Sequence, residues 1–430
     1  MEIRPFHGWR YLGHMDGDIS PYIAPPYDIL TGADKERLLE RSRENVVAVD
    51  LPHVPPKELG PHEAYEQAAA TLAKWTSWGV IRQDAEAAIY VYEQRFTWAG
   101  REYARRAMVC GVRGTELGGD VIPHEHVFPG PLADRLELTR QTRMQLSPIF
   151  GFYDDPGGAV SKLLAQAAEA RPVGIAVLRG VAERLWAIRD EHAIATISEA
   201  MRDVPVFIAD GHHRYTTAMN YRNALAEGGR IDDDHEANFV MFALVARDDP
   251  GLLILPTHRL FTNLNESGSV ERLAEASPAF SWRRCGCAEE IGAAGIEALL
   301  GCARPGAMAF VSGKSTVLWI VALARPEAMQ EAAPDQTAEW RRLPPAILHT
   351  LIMEKALQPW AGRELSVEYT ADMREVVRAC RSGRAQLGAI LPSIPIHSVE
   401  AIARSGSSMP HKSTYFYPKI ATGMVLKPLE

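Results

Sequence analysis

The sequence is poor in cysteine, and its cysteines show no pairing pattern. Its 430 residues include five cysteines, an odd number, at positions 110, 285, 287, 302 and 380. Their scatter does not indicate a disulfide framework, so all five thiols are predicted to be reduced and structural. Cys285 and Cys287 lie too close together for a standard zinc ribbon, and no second pair follows them. The sequence therefore excludes a small disulfide-stabilised protein.

The sequence also lacks an excess of positive charge and long apolar runs. Its formal net charge is -8 and its pI is near 6.0, whereas nucleic-acid-binding domains usually carry a basic surface. The first residues contain no apolar core of signal-peptide length, and no run is long enough to cross a bilayer. We therefore expect a cytoplasmic protein with a small-molecule substrate and without nucleic-acid or membrane partners; a homodimer stays open.

What the sequence does contain is ordinary for a globular enzyme. Apolar residues make up 47% and charged residues 23% of the chain, and strand and helix patterns alternate along it. These patterns predict an α/β (α+β) fold. We expect a core over residues 1–260 with an inserted hairpin and helices, an α+β accessory region over residues 261–357, and a C-terminal α/β segment over residues 358–430 that returns to the site.

Residues 206–221, VFIADGHHRYTTAMNY, carry the clearest local pattern. The apolar run VFIA predicts a buried strand, Asp210-Gly211 predicts a tight turn, and small and apolar residues then recur at helical spacing. Such a turn directs free backbone N–H groups and the positive end of the helix dipole at one point. With His212, His213 and Arg214 close by, that point suits a phosphate or another anion. The alternative is an Asp210 that only caps the helix, with surface histidines.

The Asp-Gly-His-His-Arg-Tyr segment resembles the phosphate loop of the ParB/sulfiredoxin superfamily, in which a Gly-x-x-Arg turn holds nucleotide phosphates. His212 stands where sulfiredoxins have their reactive cysteine, which argues against sulfinic-acid reduction. The Asp-Gly-x-x-Arg form is most similar to that of the free serine kinases in this superfamily. The resemblance implies a ParB/sulfiredoxin-like nucleotide-binding core with large insertions.

The whole chain resembles the domain-of-unknown-function 1015 family. The resemblance runs from Arg4-Pro5-Phe6 to Lys427-Pro428-Leu429. The motifs that carry it are APPYD (24–28), PHE (123–125), SPIF (147–150), ADGHHRY (209–215), LPTHR (255–259) and KSTYFYPK (412–419).

Three of these motifs add candidate residues. The prolines of APPYD hold the chain stiff and present Tyr27 and Asp28, either as a pocket wall or as a plain connector. His124-Glu125-His126 can bind a metal, activate a hydroxyl or hold a ribose, or can be a surface loop. In the last motif, Lys412 and Lys419 can reach phosphates or a carboxylate, and the alternative there is a polar edge strand.

Together these features predict a nucleotide-dependent small-molecule kinase that transfers a phosphoryl group from ATP or ADP, with Mg²⁺, to a hydroxyl of an amino acid such as free serine. The predicted catalytic residues are Asp28, Glu125, Asp210 and His213, and the predicted metal ligands are Glu125 and Asp210. The predicted cofactor-binding residues are His124, Arg135, Gly211, His212, His213, Arg214, Tyr215 and Thr216. The predicted substrate-binding residues are Tyr27, Thr257, His258, Arg259, Lys412, Ser413, Thr414 and Tyr415.

Two other function classes remain open at this point. The first is a module that binds and hydrolyses NTP to switch a partner, since the superfamily includes such switches. The second is a metal-dependent hydrolase that uses His124, Glu125, His126, His212, His213 and His258. None of these histidines forms a strict motif such as His-Glu-x-x-His, so the hydrolase ranks last.

Overall fold

The computed structural model describes residues 1–13, 17–125, 127, 129–265, 269–361 and 364–430. The strands are β1 (Ile3–Arg4), β2 (Trp9–Tyr11), β3 (Ile81–Gln83), β4 (Ile89–Trp98), β5 (Arg101–Arg113), β6 (Val121–Ile122), β7 (Met144–Gln145), β8 (Ile149–Tyr153), β9 (Gly174–Leu178), β10 (Val181–Ile188), β11 (Val206–Asp210), β12 (Phe239–Ala246), β13 (Leu253–Leu255), β14 (His258–Phe261), β15 (Phe280–Cys287), β16 (Met308–Ser312), β17 (Val317–Leu323), β18 (Val367–Thr370), β19 (Leu387–Ile390), β20 (Tyr415–Tyr417) and β21 (Lys427–Pro428).

The α-helices are α1 (Gly32–Arg41), α2 (Val47–Asp50), α3 (His62–Ser77), α4 (Pro129–Thr142), α5 (Ala159–Ala167), α6 (Glu191–Met201), α7 (His212–Glu227), α8 (Val270–Ala276), α9 (Ala288–Gly301), α10 (Glu327–Ala332), α11 (Ala338–Arg341), α12 (Pro344–Ile347), α13 (Met373–Ser382) and α14 (Ile396–Arg404). A π-helix covers Leu348–Leu357, and short 3-10 helices cover Tyr27–Ile29, Glu236–Asn238 and Gln358–Trp360. Within the described ranges, no helix combines the length and the apolar character that a membrane crossing requires.

The chain forms two compact units, and the first is built from both ends of the sequence. It comprises Met1–Leu253 together with Pro418–Glu430, and the second unit is Ile254–Tyr417. The large sheet of the first unit has the order β6-β11-β8-β12-β5-β4-β10-β9, with β1 beside β5. The pairs β11–β6 and β12–β8 are parallel, and β11–β8 and the pairs from β12 through β9 are antiparallel.

Alternation along the central strands of the first unit separates two faces of its sheet. Val240, Phe242 and Leu244 of β12 lie in one core, which also contains residues of α5, α6 and α7. All eight residues of β12 are buried, as is usual for a strand covered on both faces. This packing fixes β11 and the start of α7, which carry the predicted phosphate loop.

The second unit is an antiparallel sheet of order β15-β17-β16-β19-β14-β18. Its strands also alternate between two cores. Phe310 belongs to the core that includes α8, α10, α12 and the π-helix, whereas its neighbours Ala309 and Val311 belong to the core with α9 and α13. A helical layer therefore covers each face of this sheet.

The elements confirm the predicted mixed α/β class. The predicted inserted hairpin is formed by β4 and β5 and turns at Ala99-Gly100. The sequence also predicts a hairpin about Gly313-Lys314, and β16 and β17 form it. The valine-rich segment NVVAVDL at residues 45–51 has the composition of a strand, and the sequence predicts one there. This prediction is wrong, because the segment contains helix α2. The Asn45 side chain fixes that turn by donating to the carbonyls of Pro21 and Ile23 and accepting from the N–H of Val47. These local bonds outweigh the strand preference of three valines.

The five cysteines form no disulfide in this structure. Cys110 and Cys380 are buried, and burial raises the pKa of both thiols, that of Cys380 to about 12. Cys285 and Cys287 are half-buried, and Cys302 is exposed.

Candidate active site

The loop at residues 210–214 has the predicted strand, bend and helix. Strand β11 ends at Asp210, Gly211 takes a φ of 101°, and α7 begins at His212. This φ lies in the left-handed region that favours glycine. A Cβ at Gly211 would also lie 3.0 Å from the Arg214 guanidinium. Only glycine therefore permits both the bend and the position of Arg214 across it.

Two cationic side chains converge on the Asp210 carboxylate. The Arg214 Nη2 donates to its Oδ2 at 3.0 Å, and the Lys419 ammonium donates to its Oδ1 at 2.7 Å. Burial alone raises the pKa of Asp210, but Lys419 and then Arg214 outweigh it and hold this pKa far below its usual value. Asp210 is therefore ionised near neutral pH, and the start of α7 carries two positive charges against one negative charge.

Arg214 is held from its other side by the segment that enters β8. Its Nη1 donates to the carbonyl of Pro148 and to the Ser147 hydroxyl, the latter at 3.4 Å. Because these contacts and the bond to Asp210 fix both ends of the guanidinium, Arg214 is ordered before any ligand arrives. Such preorganisation lowers the entropic cost of binding an anion.

His124 and His212 lie side by side beneath the loop. Their ring centroids are 4.8 Å apart, with one edge facing the other ring. The Nδ1–H of His124 donates to the carbonyl of Ile208 at 2.8 Å, and the backbone N–H of His124 donates to Nε2 of His212 at 3.2 Å. Burial lowers the pKa of both imidazoles, and each is therefore neutral near pH 7. The pair supports the loop and adds no positive charge to it.

A buried polar network holds the backbone that carries Lys419. Arg105 is 1% exposed, and its Nη2 donates to the carbonyl of Pro418 at 2.6 Å and to the Gln94 side-chain oxygen. The amide nitrogen of Gln94 then donates to the Lys419 carbonyl at 3.0 Å. These contacts fix two successive carbonyls, which places the Lys419 ammonium against Asp210.

Glu183 lies at the centre of the same network. It accepts hydrogen bonds from the Tyr92 hydroxyl at 2.6 Å and from the Gln94 amide at 3.2 Å. The Tyr92 oxygen in turn accepts the N–H of Ala421 at 3.2 Å. Burial raises the pKa of Glu183 to about 7, although its two hydrogen bonds and Arg105 oppose this rise. Glu183 thus titrates in the folded protein near neutral pH.

We expect Glu183→Gln to change the pH dependence of stability. Because the pKa of Glu183 is higher in the folded state than in the unfolded state, the folded state binds more protons than the unfolded state between about pH 4.3 and pH 7. The free energy of unfolding therefore falls as pH rises through that window. Glutamine cannot lose a proton. The variant, relative to wild type, should therefore gain roughly 2 kcal/mol in free energy of unfolding between pH 5 and pH 8. Urea unfolding at both pH values measures this gain. The exposed Glu169→Gln is the matched control. If the free energies of unfolding of Glu183→Gln and wild type change equally between pH 5 and pH 8, the prediction is wrong.

A narrow cavity adjoins the loop within the first unit. Its polar lining is formed by Tyr27, Asp50, Arg135, Thr139, Gln145, Ser147, Arg214 and Thr217, and aliphatic side chains and methionines complete the wall. We call it the Arg135 cavity. Its volume open to water is about 50 Å³, which is room for a few waters or for one compact group. Arg214 lines this cavity and also binds Asp210, so one guanidinium borders both the cavity and the loop.

Arg135 is almost completely buried, with 5% of its surface exposed. Its Nε donates to Asp134 at 2.7 Å, and its Nη1 donates to the backbone carbonyl of Asp50 at 2.6 Å. The guanidinium carbon lies 3.9 Å from the centre of the Tyr27 ring, a cation–π distance. Asp134 also accepts from the Tyr65 hydroxyl at 2.8 Å. Arg135, which lies on α4, thereby contacts the 3-10 turn through Tyr27 and helix α2 through Asp50.

The remaining predicted residues of the first unit are placed around this region. Asp28, Glu125 and His213 are half-buried, and Asp28 lies in the 3-10 turn beside Tyr27. Tyr215 is fully buried, and its hydroxyl donates to the carbonyl of Thr115 at 2.6 Å. The Thr216 hydroxyl donates to the carbonyl of His212 at 3.1 Å. His126 lies outside the described residues.

The predicted residues at 257–259 belong to the second unit. The backbone N–H of Leu391 donates to Nδ1 of His258 at 3.1 Å. Burial and then Arg259 lower the pKa of His258 to about 4, and burial lowers that of Arg259 to about 10. Arg259 donates to the carbonyl of Thr257 and, at 3.0 Å, to that of Lys412. The hydroxyl of Thr257 has no hydrogen-bond partner among the described residues.

The predicted residues at 412–415 complete the second-unit group. Lys412 takes a φ of 57°, and the Ser413 hydroxyl donates to the carbonyl of Pro410. Thr414 and Tyr415 are half-buried, and the Tyr415 ring lies 6.3 Å from that of Tyr417. These four residues and residues 257–259 therefore share one unit.

The predicted metal ligands fit a cation poorly as they stand. Both oxygens of Asp210 already bind cationic groups. In the part of the chain that the structure describes, no group of three or more His, Cys, Asp or Glu residues could hold a metal ion. Mg²⁺ commonly relies on one or two carboxylates and on the phosphates of its ligand, so a nucleotide would have to bring the ion with it.

We expect Asp210→Asn to strengthen the binding of a small anion. The substitution removes the negative charge that Arg214 and Lys419 now face, so pyrophosphate should bind about tenfold more tightly, a gain of about 1.4 kcal/mol. Isothermal titration measures this. The exposed Asp203→Asn changes the net charge equally and should leave the affinity unchanged. An Asp210→Asn affinity at or below that of wild type would show that these cations do not bind the anion.

Three contributors to this region carry no local sequence signal of their own. Lys419 contacts Asp210, which lies 209 residues earlier in the sequence. The sequence pattern placed Lys419 in one motif with Lys412 but did not indicate which residue it contacts. Asp50 falls in the segment predicted as a strand. Thr217 is one of several hydroxyl residues on α7. Only the fold shows which of them faces the Arg135 cavity.

The comparisons with known proteins give a family and a set of distant structures. A family profile described as "Protein of unknown function (DUF1015)" matches residues 3–344. No curated protein matches the chain.

Three solved structures illustrate the distant likeness. A conserved hypothetical protein from Pyrococcus furiosus is 13% identical, with a TM-score of 0.35, and the match covers 75% of this chain and 95% of that one. A free serine kinase in complex with AMP is 14% identical, with a TM-score of 0.34 and coverages of 74% and 92%. C-terminally truncated SbnI from Staphylococcus aureus is 12% identical, with a TM-score of 0.37 and coverages of 75% and 87%.

Proposed function

This chain belongs to the DUF1015 family of proteins of unknown function, and we propose that it is a nucleotide-dependent small-molecule kinase. In this proposal the donor is ATP or ADP, and the acceptor is a hydroxyl of a small molecule. Free serine is the first acceptor to test, because the Asp-Gly-x-x-Arg loop at residues 210–214 resembles that of the free serine kinases.

One observation carries this proposal: Arg214 and Lys419 converge on Asp210, at 3.0 and 2.7 Å, where α7 begins. The first N–H groups of a helix have no intrahelical partner, and the helix dipole favours an anion at that end. A phosphate placed there gains those N–H groups together with a guanidinium and an ammonium. These are the groups that phosphoryl transfer needs, since its catalysis is mainly positioning and charge stabilisation.

The same geometry gives roles to individual residues. Gly211 allows the backbone to approach the phosphates, and Arg214 and Lys419 neutralise the negative charge of the transferred group. Asp210 pairs with both cations until the nucleotide arrives, so a phosphate must compete with its carboxylate. A carboxylate must then accept the proton of the acceptor hydroxyl, and Asp28 and Glu125 are the residues predicted for this step. Because both oxygens of Asp210 already bind these two cationic groups, Arg214 and Lys419 supply the charge stabilisation.

The test is calorimetric titration with ATP, ADP and CTP, with and without Mg²⁺, followed by phosphorus NMR of the nucleotide mixed with L-serine. We expect a dissociation constant in the micromolar range for at least one nucleotide. In the phosphorus NMR spectrum we expect the signal of a phosphate ester of L-serine. If none of the three nucleotides binds, the kinase function is ruled out. Binding and hydrolysis without transfer to any hydroxyl compound would instead favour the NTP-dependent switch.

A further inference from the structure

The Arg135 cavity contains two polar atoms without partners. Arg135 Nη2 and the Thr217 hydroxyl are inaccessible to solvent and have no hydrogen-bond partner among the described residues. The two residues are 5% and 3% exposed, and both line the cavity. An unsatisfied buried donor is costly. Two of them on residues that line one cavity indicate a ligand that supplies oxygen there.

The charges around Arg135 define the kind of oxygen. Its guanidinium already faces the carboxylates of Asp134, at 2.7 Å, and of Asp50, at 3.4 Å. A further carboxylate would add a third negative charge around Arg135, and Arg214, the second cation of the cavity wall, already faces Asp210, so desolvation would make this unfavourable. A hydroxyl oxygen can accept from Arg135 Nη2 without that cost. The cavity volume of about 50 Å³ likewise suits a hydroxyl-bearing carbon rather than a nucleoside.

Two further residues of the lining connect such a hydroxyl to phosphoryl transfer. Arg214 forms part of the cavity wall and binds Asp210 at the loop, so an oxygen in the cavity lies beside the proposed phosphate anchor. Asp50 is the acidic residue among the described side chains of the lining, and Asp28 and Glu125, which the sequence predicts as proton acceptors, are not part of that lining. Burial raises the pKa of Asp50 above its usual value, which makes its carboxylate a stronger proton acceptor.

We propose that the Arg135 cavity binds the hydroxyl end of the phosphoryl acceptor, with Arg135 and Thr217 holding the hydroxyl oxygen and Asp50 accepting its proton. This inference rests on the proposed kinase function. As the O–H bond breaks and its proton moves to Asp50, the oxygen forms a bond to the terminal phosphorus of the nucleotide. The bond from that phosphorus to the bridging oxygen breaks, and the shortened nucleotide leaves with the electron pair. Asp50 then returns the proton to water, which regenerates the carboxylate.

The first test uses Thr217→Val, which removes the hydroxyl and keeps the shape of the side chain. Calorimetry and saturation-transfer NMR measure the binding of three hydroxyl probes, L-serine, glycerol and myo-inositol. At least one should bind to wild type, and Thr217→Val should weaken it about tenfold. The melting temperature should rise by about 2 °C, because a buried unsatisfied hydroxyl is lost. Nucleotide affinity should be unchanged. Thr196→Val, at an exposed threonine of α6 whose hydroxyl donates to the His192 carbonyl, is the matched control.

The second test uses Asp50→Asn, which keeps the backbone carbonyl that Arg135 binds. Turnover should fall at least 100-fold, as expected for loss of a general base, with probe affinity within threefold of wild type. The inference is overturned if wild type binds none of the probes, if Thr217→Val binds them as wild type does, or if Asp50→Asn keeps full turnover. If Thr217→Val weakens a probe and no nucleotide binds, the cavity stands and the kinase function fails.

Discussion

Arg214→Ala should reduce nucleotide affinity by more than 100-fold, about 3 kcal/mol. The guanidinium spans the bend at Gly211, where a Cβ would approach it to 3.0 Å, and it bonds to Asp210 and to the carbonyl of Pro148. Truncating one partner of a buried, hydrogen-bonded charge pair typically costs about 2–5 kcal/mol, and Arg214, whose side chain is 14% exposed, should fall at the lower end of that range. In addition, Asp210 would then face only Lys419, so the net charge at the start of α7 would fall to zero. Calorimetric titration with ADP and ATP measures the loss.

Two further substitutions make this result specific. Arg214→Lys keeps the positive charge but loses the forked donor geometry, so it should recover only part of the affinity. Arg222→Ala removes an arginine of the same helix, which bonds to Asn238 at 3.0 Å, and should leave the affinity unchanged. If Arg214→Ala and Arg222→Ala weaken nucleotides equally, the effect comes from the stability of α7 or from overall charge, and the loop has no special role.

Arg105→Met should lower the free energy of unfolding by about 4 kcal/mol. Arg105 is 1% exposed and lies 4.5 Å above the Phe150 ring. Its removal leaves the carbonyl of Pro418 and the side-chain oxygen of Gln94 without this donor, and it withdraws the positive charge that stabilises ionised Glu183. Breaking such a buried arrangement by removing one partner usually costs about 3–5 kcal/mol. Chemical unfolding at pH 7 measures the change.

The same variant connects stability with the proposed site. Because the Arg105 network fixes the backbone at residues 418 and 419, Arg105→Met should also weaken nucleotide binding at temperatures where the protein remains folded. Arg101→Met, at the exposed start of β5, is the control and should change stability by less than about 0.5 kcal/mol. A stable Arg105→Met protein, within 1 kcal/mol of wild type, would show that this network is dispensable for the fold.

The loop at residues 206–227 shows how far the sequence could predict the fold. A buried apolar run, an Asp-Gly turn and a helical pattern follow one another there, and β11, the left-handed Gly211 and α7 confirm them. Signals of this kind are local, because side chains and backbone within a few residues decide the conformation. The two predicted hairpins, which depend on alternation and a short turn, are confirmed for the same reason.

Predictions failed or stopped where distant residues decide the outcome. The segment at residues 45–51 has the composition of a strand, yet Asn45 bonds to the carbonyls of Pro21 and Ile23, and a helix forms. The sequence of residues 176–182 also predicts a single strand, and this prediction is wrong for a local reason, because the chain turns between β9 and β10 at Arg179-Gly180. The assignment of site residues stays a prediction. No local pattern could show that Lys419 meets Asp210.

The discontinuous first unit has a consequence for how the molecule is made. Pro418–Glu430 belongs with Met1–Leu253, so the ribosome must synthesise all of Ile254–Tyr417 before Lys419 becomes available to Asp210. A nascent or proteolytically shortened chain that ends before residue 419 therefore has the glycine bend but only one of the two cations. Synthesis of Pro418–Glu430 would then complete the proposed phosphate site, and under the proposed function a chain that stops before residue 419 should bind nucleotide more weakly than the longer chain.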